Sequence, residues 1–323
     1  MSSRSERLES PTTATVHARW TRRESALRSL SASAERAILL LPLVALVAFG
    51  AQRSRAIDAR AAGVVSAASP QHARVLRVCA DPNNLPFSNE RGEGLENRLA
   101  DLVASEMHAT VQYEWWAQRR GFFRNTLKAG KCDVVMGVPT SLELTLTTRP
   151  YYRSTYVFVT KRRSAIRVWS LDDPLLRTAR VAVQLIGDDF SNAPPAHALT
   201  KRGIVKNVRG YTLYGDYREP NPPARIVDAV AEGDVDVAIV WGPLAGYFAT
   251  REPVPLRIVP VSPQIDLPFL PMVFDISVGT RRDDRALRDE IDTILLRRKA
   301  GVDSILTRFG VPRVDMVSQP NVS

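Results

Sequence analysis

The chain has 323 residues, 44 Lys and Arg against 34 Asp and Glu, and only two Cys. With 45% apolar and 24% charged residues it can bury an ordinary core, which excludes global disorder, and the length allows two lobes or two small domains. Two cysteines without a C-x-x-C motif exclude a disulfide scaffold, a Cys-rich zinc module and c-type haem attachment.

A net charge of +10 would suit nucleic acid, but ten of the basic residues lie before residue 62, against five acids there. The remainder carries an excess of only five, so no nucleic-acid partner is expected. The same N-terminal stretch holds the one continuous apolar run, Ala37–Gly50 (AILLLPLVALVAFG). At about 14 residues it falls short of the ~20 that span a bilayer as a helix, and it fits a secretory h-region. Arg36 precedes the run, and Ala59-Arg60-Ala61 forms an A-x-A-like cleavage site. Residues 1–61 are therefore expected to be an export signal and spacer, so that the mature chain is exported. An uncleaved membrane anchor is the alternative. The basic stretch ahead of the run is long for a signal, which leaves a later start such as Val16 open, and Arg22-Arg23 fits a twin-arginine signal poorly.

Beyond residue 73 strands and helices alternate. Val75–Ala80 reads as a buried strand, followed by the turn-rich Asp81-Pro82-Asn83-Asn84-Leu85-Pro86-Phe87-Ser88. Leu95, Leu99, Leu102, Val103 and Met107 recur at helical spacing, and Val111, Tyr113 and Trp115 alternate as in a strand. A second helix is expected over about 122–129, ending at Gly130. Strands follow at Asp133–Val138 and Tyr156–Lys161. The second half repeats this grammar. It has strands at Arg180–Ile186 and Val235–Trp241, and a helix after Asn221-Pro222-Pro223. Phe274–Gly279 then leads into the helical face Leu287, Ile291, Ile294 and Leu295. Repeated βα units with apolar strands imply mostly parallel sheets covered by helices, so the fold class is α/β with two lobes.

In such sheets ligands bind at the carboxyl ends of the strands. That rule selects the loops Asp81–Ser88, Gly137–Ser141, Gly187–Asn192 and Trp241–Ala245. None carries a phosphate-binding, nucleophile-elbow or zinc-protease motif.

The succession LRVCADPNNLPFS, GKCDVVMGVP, TTRPYYRSTYVFV and VDVAIVWGPLAGYF resembles a type-2 periplasmic solute-binding protein. Gln118–Leu127 (QRRGFFRNTL), the run from Tyr211 to Pro243 and FDISVGTRR narrow the resemblance to the quinoprotein dehydrogenase-associated MoxJ/XoxJ family. The likeness covers about residues 73–315. It implies a two-lobed type-2 fold with two interlobe crossings, lobe 1 being 73–161 plus 274–315 and lobe 2 being 165–270. It also implies a non-catalytic protein, expected as a monomer without cofactor or metal. Such a protein binds or activates a PQQ-dependent methanol or alcohol dehydrogenase, of the lanthanide type, in a methanol-oxidation system. A c-type cytochrome is the further implied partner. The competing functions are a solute receptor for an ABC transporter and a cyclohexadienyl-dehydratase-like enzyme.

Amino-acid binders of this superfamily place an Asp after the second-lobe strand and an Arg in a T-x-x-R loop. Here the first position is Trp241, and Thr140-Ser141-Leu142-Glu143-Leu144 contains no Arg. Gly187-Asp188-Asp189 puts carboxylates where an anion would sit, so an amino-acid ligand is not expected. The candidate cleft residues are Asp81, Asn83, Asn84, Phe87, Pro139, Thr140, Asp188 and Trp241. For Asp81 and the two Asn, Asx-turn chemistry competes with ligand contact. For Trp241, closing the core competes with walling an apolar cleft. Of Trp115 and Trp116 one is expected in the core and the other exposed; Trp116 with Arg119 and Arg120 forms the candidate partner-docking patch, and for the two Arg a solvated basic turn competes with docking. Asp172-Asp173 reads as helix N-terminal charge rather than as a metal site. Cys79 falls late in its strand and Cys132 before the start of its own, a stagger that favours two buried thiols over a disulfide.

Overall fold

The structure is a computed structural model that describes residues 74–185, 192–215 and 217–315. The export-signal reading of residues 1–61 and the carboxylates at Asp188 and Asp189 lie outside the described residues.

The chain opens with β1 (Arg74–Ala80), α1 (Leu95–Glu106), β2 (Ala109–Trp115) and α2 (Phe122–Asn125). β3 (Val134–Pro139) and the ten-residue β4 (Tyr152–Lys161) follow. Next come β5 (Val181–Leu185), α3 (Pro194–Lys201), β6 (Val208–Thr212), α4 (Arg225–Glu232) and β7 (Val237–Trp241). The chain continues through α5 (Gly242–Ala249), β8 (Leu256–Pro260), β9 (Val273–Thr280), α6 (Arg285–Arg297) and α7 (Lys299–Arg308).

β2, β1 and β3 are parallel neighbours, and β9 closes that group antiparallel to β3. β6, β5 and β7 form a second parallel group. β4 links the two. Its Tyr152–Thr155 stretch pairs antiparallel with β9, while Tyr156–Lys161 pairs with β7 and β8. The two expected sheets are thus hydrogen-bonded into one path, β2-β1-β3-β9-β4-β7-β5-β6. One long strand changing partners at Tyr156 accounts for the difference.

Burial explains the elements. Leu95, Leu99, Ala100 and Val103 of α1 are fully buried on one face and pack against the sheet and against α6 and α7. The first N–H groups of α1 are met by the preceding turn: Leu95 N–H donates to the Pro86 carbonyl at 2.7 Å and Glu96 N–H to the Phe87 carbonyl at 2.9 Å. Residue 94 must be glycine, because a Cβ there would collide with the Phe87 carbonyl. α2 is shorter than its sequence suggests. It stops at Asn125, and the chain turns through Gly130 at φ 70°.

That turn corrects the reading of the cysteines. Cys79 and Cys132 are joined in a disulfide with Cα atoms 5.5 Å apart. The stagger would keep the two apart only if the chain ran straight into β3. Instead Gly130 N–H donates to Leu127 and Lys131 N–H to Thr126. The folded-back turn brings Cys132 over Cys79, among Phe122, Leu127, Val135 and Val138. Asp173 caps a short 3-10 turn by accepting from Leu175 N–H at 3.0 Å, while Asp172 pairs with Arg202.

Candidate functional site

A cavity of about 390 Å³ lies where β1, β3, β5 and β7 end and β4 and β9 cross beneath. Its wall carries the aromatic side chains Phe87, Tyr152, Tyr156, Tyr214, Trp241 and Phe274, with Leu244, Ile276 and two prolines between them. Gln118, Gln184 and Glu96 supply the polar side chains, and among the described residues the lining holds no Arg, Lys or His. Strand register builds this wall. Trp241 lies opposite Tyr156 in the β4/β7 pair, while Ile276 lies opposite Tyr152 and Phe274 opposite Ser154 in the β4/β9 pair. Trp241 meets Tyr156 and Phe274 edge-on, with centroids 5.4 and 5.8 Å apart. Burial pushes the Tyr152 and Tyr156 phenols well up, so both stay neutral.

Glu96, in the first turn of α1, is the acid of the cavity. It is 8% exposed and has neither a hydrogen bond to its carboxyl nor an ion pair among the described residues. Desolvation alone pushes it up to about 8.

The expected cleft residues divide. Phe87, Pro139 and Trp241 line the cavity, so Trp241 forms part of its wall while still packing on the core. Asp81, Asn83, Asn84 and Thr140 do not line it. Asp81 accepts from Asn83 N–H at 2.9 Å, an Asx turn, and from Gln118 N–H at 2.7 Å. Its carboxyl is nonetheless pushed up by burial, which these two donors offset in part. Asn84 donates to the Gln118 side-chain oxygen at 2.8 Å. Asn83 donates to the Glu219 carbonyl at 2.7 Å, tying the first turn to the segment ahead of α4. Thr140 shares a 2.7 Å hydrogen bond with Ser277 and donates its N–H to the Asp275 carbonyl. These four hold the rim together.

In the other patch Arg119 and Arg120 are exposed. Trp115 and Trp116 are both half-buried rather than split between core and surface. Trp115 stacks on Tyr113 at 4.4 Å, and Trp116 packs on the disulfide cluster with the Lys131 ammonium 5.4 Å from its ring. Among the described residues no group of three or more His, Cys, Asp or Glu could hold a metal ion, and no helix is long and apolar enough to cross a membrane.

Residues 76–310 match the family model for bacterial extracellular solute-binding proteins, family 3. The chain belongs to that family. It is 34% identical over 287 residues to Protein MoxJ of Methylorubrum extorquens, covering 85% of this chain and 93% of that one. Two crystal structures resemble this family 3 chain. MxaJ from Methlophaga aminisulfidivorans MPT has a TM-score of 0.65 at 26% identity, covering 74% of this chain and 100% of that one. The periplasmic binding protein XoxJ from Methylobacterium extorquens AM1 has a TM-score of 0.61 at 31% identity, covering 75% and 100%. The MoxJ/XoxJ resemblance and the type-2 fold read from the sequence are thereby established.

Sequence reasoning missed Glu96, Tyr152, Tyr156, Tyr214 and Phe274. A signal for Glu96 existed: Leu99, Ala100 and Val103 stand three, four and seven residues beyond it, which puts the carboxyl on the apolar face of its helix.

Proposed function

We propose that this family 3 chain is an exported, non-catalytic periplasmic protein that binds or activates a PQQ-dependent methanol or alcohol dehydrogenase. Its MoxJ and XoxJ relatives and the segments that carry the resemblance support that partner. The observation that carries the non-amino-acid reading is the cavity wall. Trp241 stands where amino-acid binders place a carboxylate, and among the described lining residues no cation awaits an α-carboxylate. The two parallel strand groups would then belong to two lobes, 73–161 plus 274–315 against 165–270, with β4 and β9 in the crossing region.

Two surfaces suit a protein partner. One is Trp116, Arg119 and Arg120. The other is a short hairpin, Ile265–Asp266 against Leu270–Pro271, which carries Leu267 at 73% and Phe269 at 89% exposure. Exposed large apolar side chains on a tip suit an interface anchor. The Asp266 carboxylate pins the hairpin to Arg202 through hydrogen bonds of 2.8 and 3.0 Å.

The test is affinity capture of the tagged mature protein from periplasm, with the eluate assayed for PQQ-dependent alcohol oxidation. Retained activity, lost on Leu267→Ser with Phe269→Ser, supports the reading. An eluate without such activity overturns it.

A further inference from the structure

Glu96 is an anomaly the dehydrogenase reading does not use. A carboxyl 8% exposed would ordinarily be paired, yet among the described residues no donor or cation meets it. It lines a cavity whose wall also carries six aromatic side chains beside Gln118, Gln184 and aliphatic residues. Aromatic rings attract cations through their negative faces, and a desolvated carboxylate does so by charge. Once ionised, Glu96 would repel an anion, and a zwitterion would find no cation for its carboxylate among the described lining residues. A volume of about 390 Å³ is of small-ligand size.

We propose that the cavity is a binding site for a small organic monocation, its ammonium head held between the Glu96 carboxylate and the rings of Tyr152, Tyr156, Trp241 and Phe274. Glu96 sits in the first turn of the 12-residue α1, where the helix dipole favours the ionised form once a cation has entered. The titratable groups that sense it are the phenols of Tyr113 on β2, Tyr151 and Tyr152 on β4, and Tyr214 after β6. Burial raises all four, so they stay neutral across the relevant range. Because Glu96 titrates at about 8, cation binding should release its proton and tighten as pH rises through that value.

The test is calorimetric titration of the mature protein with choline and with its neutral carbon isostere, 3,3-dimethylbutan-1-ol, at pH 6 and pH 8.5. Choline should bind at least ~10-fold tighter than the isostere at pH 8.5, weaken more than ~10-fold at pH 6, and release a proton on binding. Glu96→Gln should abolish the preference and the pH dependence, and Trp241→Ala should weaken choline ~10-fold. Equal binding of the two probes, binding without pH dependence, or no choline binding at 10 mM would each overturn the proposal. The wild-type pH profile decides even if a variant fails to fold, and no dehydrogenase is present, so the partner reading stands or falls separately.

Discussion

The Glu96 carboxyl lies directly over the Cα of Gly137, so close that a Cβ at residue 137 would collide with Glu96 Oε1. The absent side chain on β3 is what lets an acid from α1 occupy the cavity. Gly137→Ala should therefore cost about 1–3 kcal/mol through overpacking. Adding Glu96→Ala should recover much of that loss, because the colliding atoms are gone. A double-mutant cycle by urea unfolding measures the coupling, and strict additivity would show that the two residues do not touch.

Glu96 also sets a pH dependence of stability. Its folded value of about 8 lies above the ordinary carboxyl value of 4.5. Between those values the native state holds a proton that the unfolded state has released, so stability declines as pH rises from about 4.5 to about 8 and then levels off. Glu252 is pushed up to about 7 by burial and by Asp228 and Glu232, and adds a slope of the same sign. The informative quantity is the difference between wild type and Glu96→Gln. The variant should gain relative stability steadily across this window, by a few kcal/mol at pH 8.

Removing the disulfide should act mainly through the unfolded chain. The bridge closes a separation of 53 residues, for which the chain-entropy relation gives about 4 kcal/mol as an upper figure. Cys79→Ala with Cys132→Ala should lower unfolding free energy by about 2–4 kcal/mol and leave the fold intact. Guanidinium unfolding of both forms, with and without reductant, checks this: reductant should shift only the wild type.

The hairpin bearing Leu267 and Phe269 depends on the Arg202–Asp266 pair, whose side chains are 14% and 5% exposed. Arg202→Ala leaves a buried carboxylate with only Lys201, at 3.7 Å, and should cost about 3 kcal/mol. The Asp266 carboxyl is held below its ordinary value, chiefly by the Arg202 hydrogen bond. The contribution is therefore present above the unfolded carboxyl value and lost as pH falls through the depressed one, so wild type and variant should converge at low pH. Thermal melts at pH 7 and pH 2.5 distinguish this from a loss of packing alone, which would persist in acid.

Much of this architecture could be read in the chain because its elements follow simple periodicities. The buried run around Val78, the α1 face at Leu95, Leu99 and Val103, and the Asx chemistry of Asp81 are all local signals. Partnerships that depend on a change of direction were not legible. β4 switches neighbours at Tyr156, and the turn at Thr126–Gly130 delivers Cys132 to Cys79. Neither leaves a mark in residue spacing. The cavity wall was legible in part. Phe87, Pro139 and Trp241 end strands or follow them, where the carboxyl-end rule looks. Tyr152, Tyr156 and Phe274 lie within the crossing strands, where that rule does not look.

The proposed function is association with a quinoprotein dehydrogenase. Its most direct test is the rate of PQQ-dependent methanol oxidation in periplasmic extract from cells lacking this chain, measured before and after adding the purified mature protein. A depressed rate that the protein restores in a saturable way is expected. An unimpaired rate, or one that added protein leaves unchanged, would contradict it.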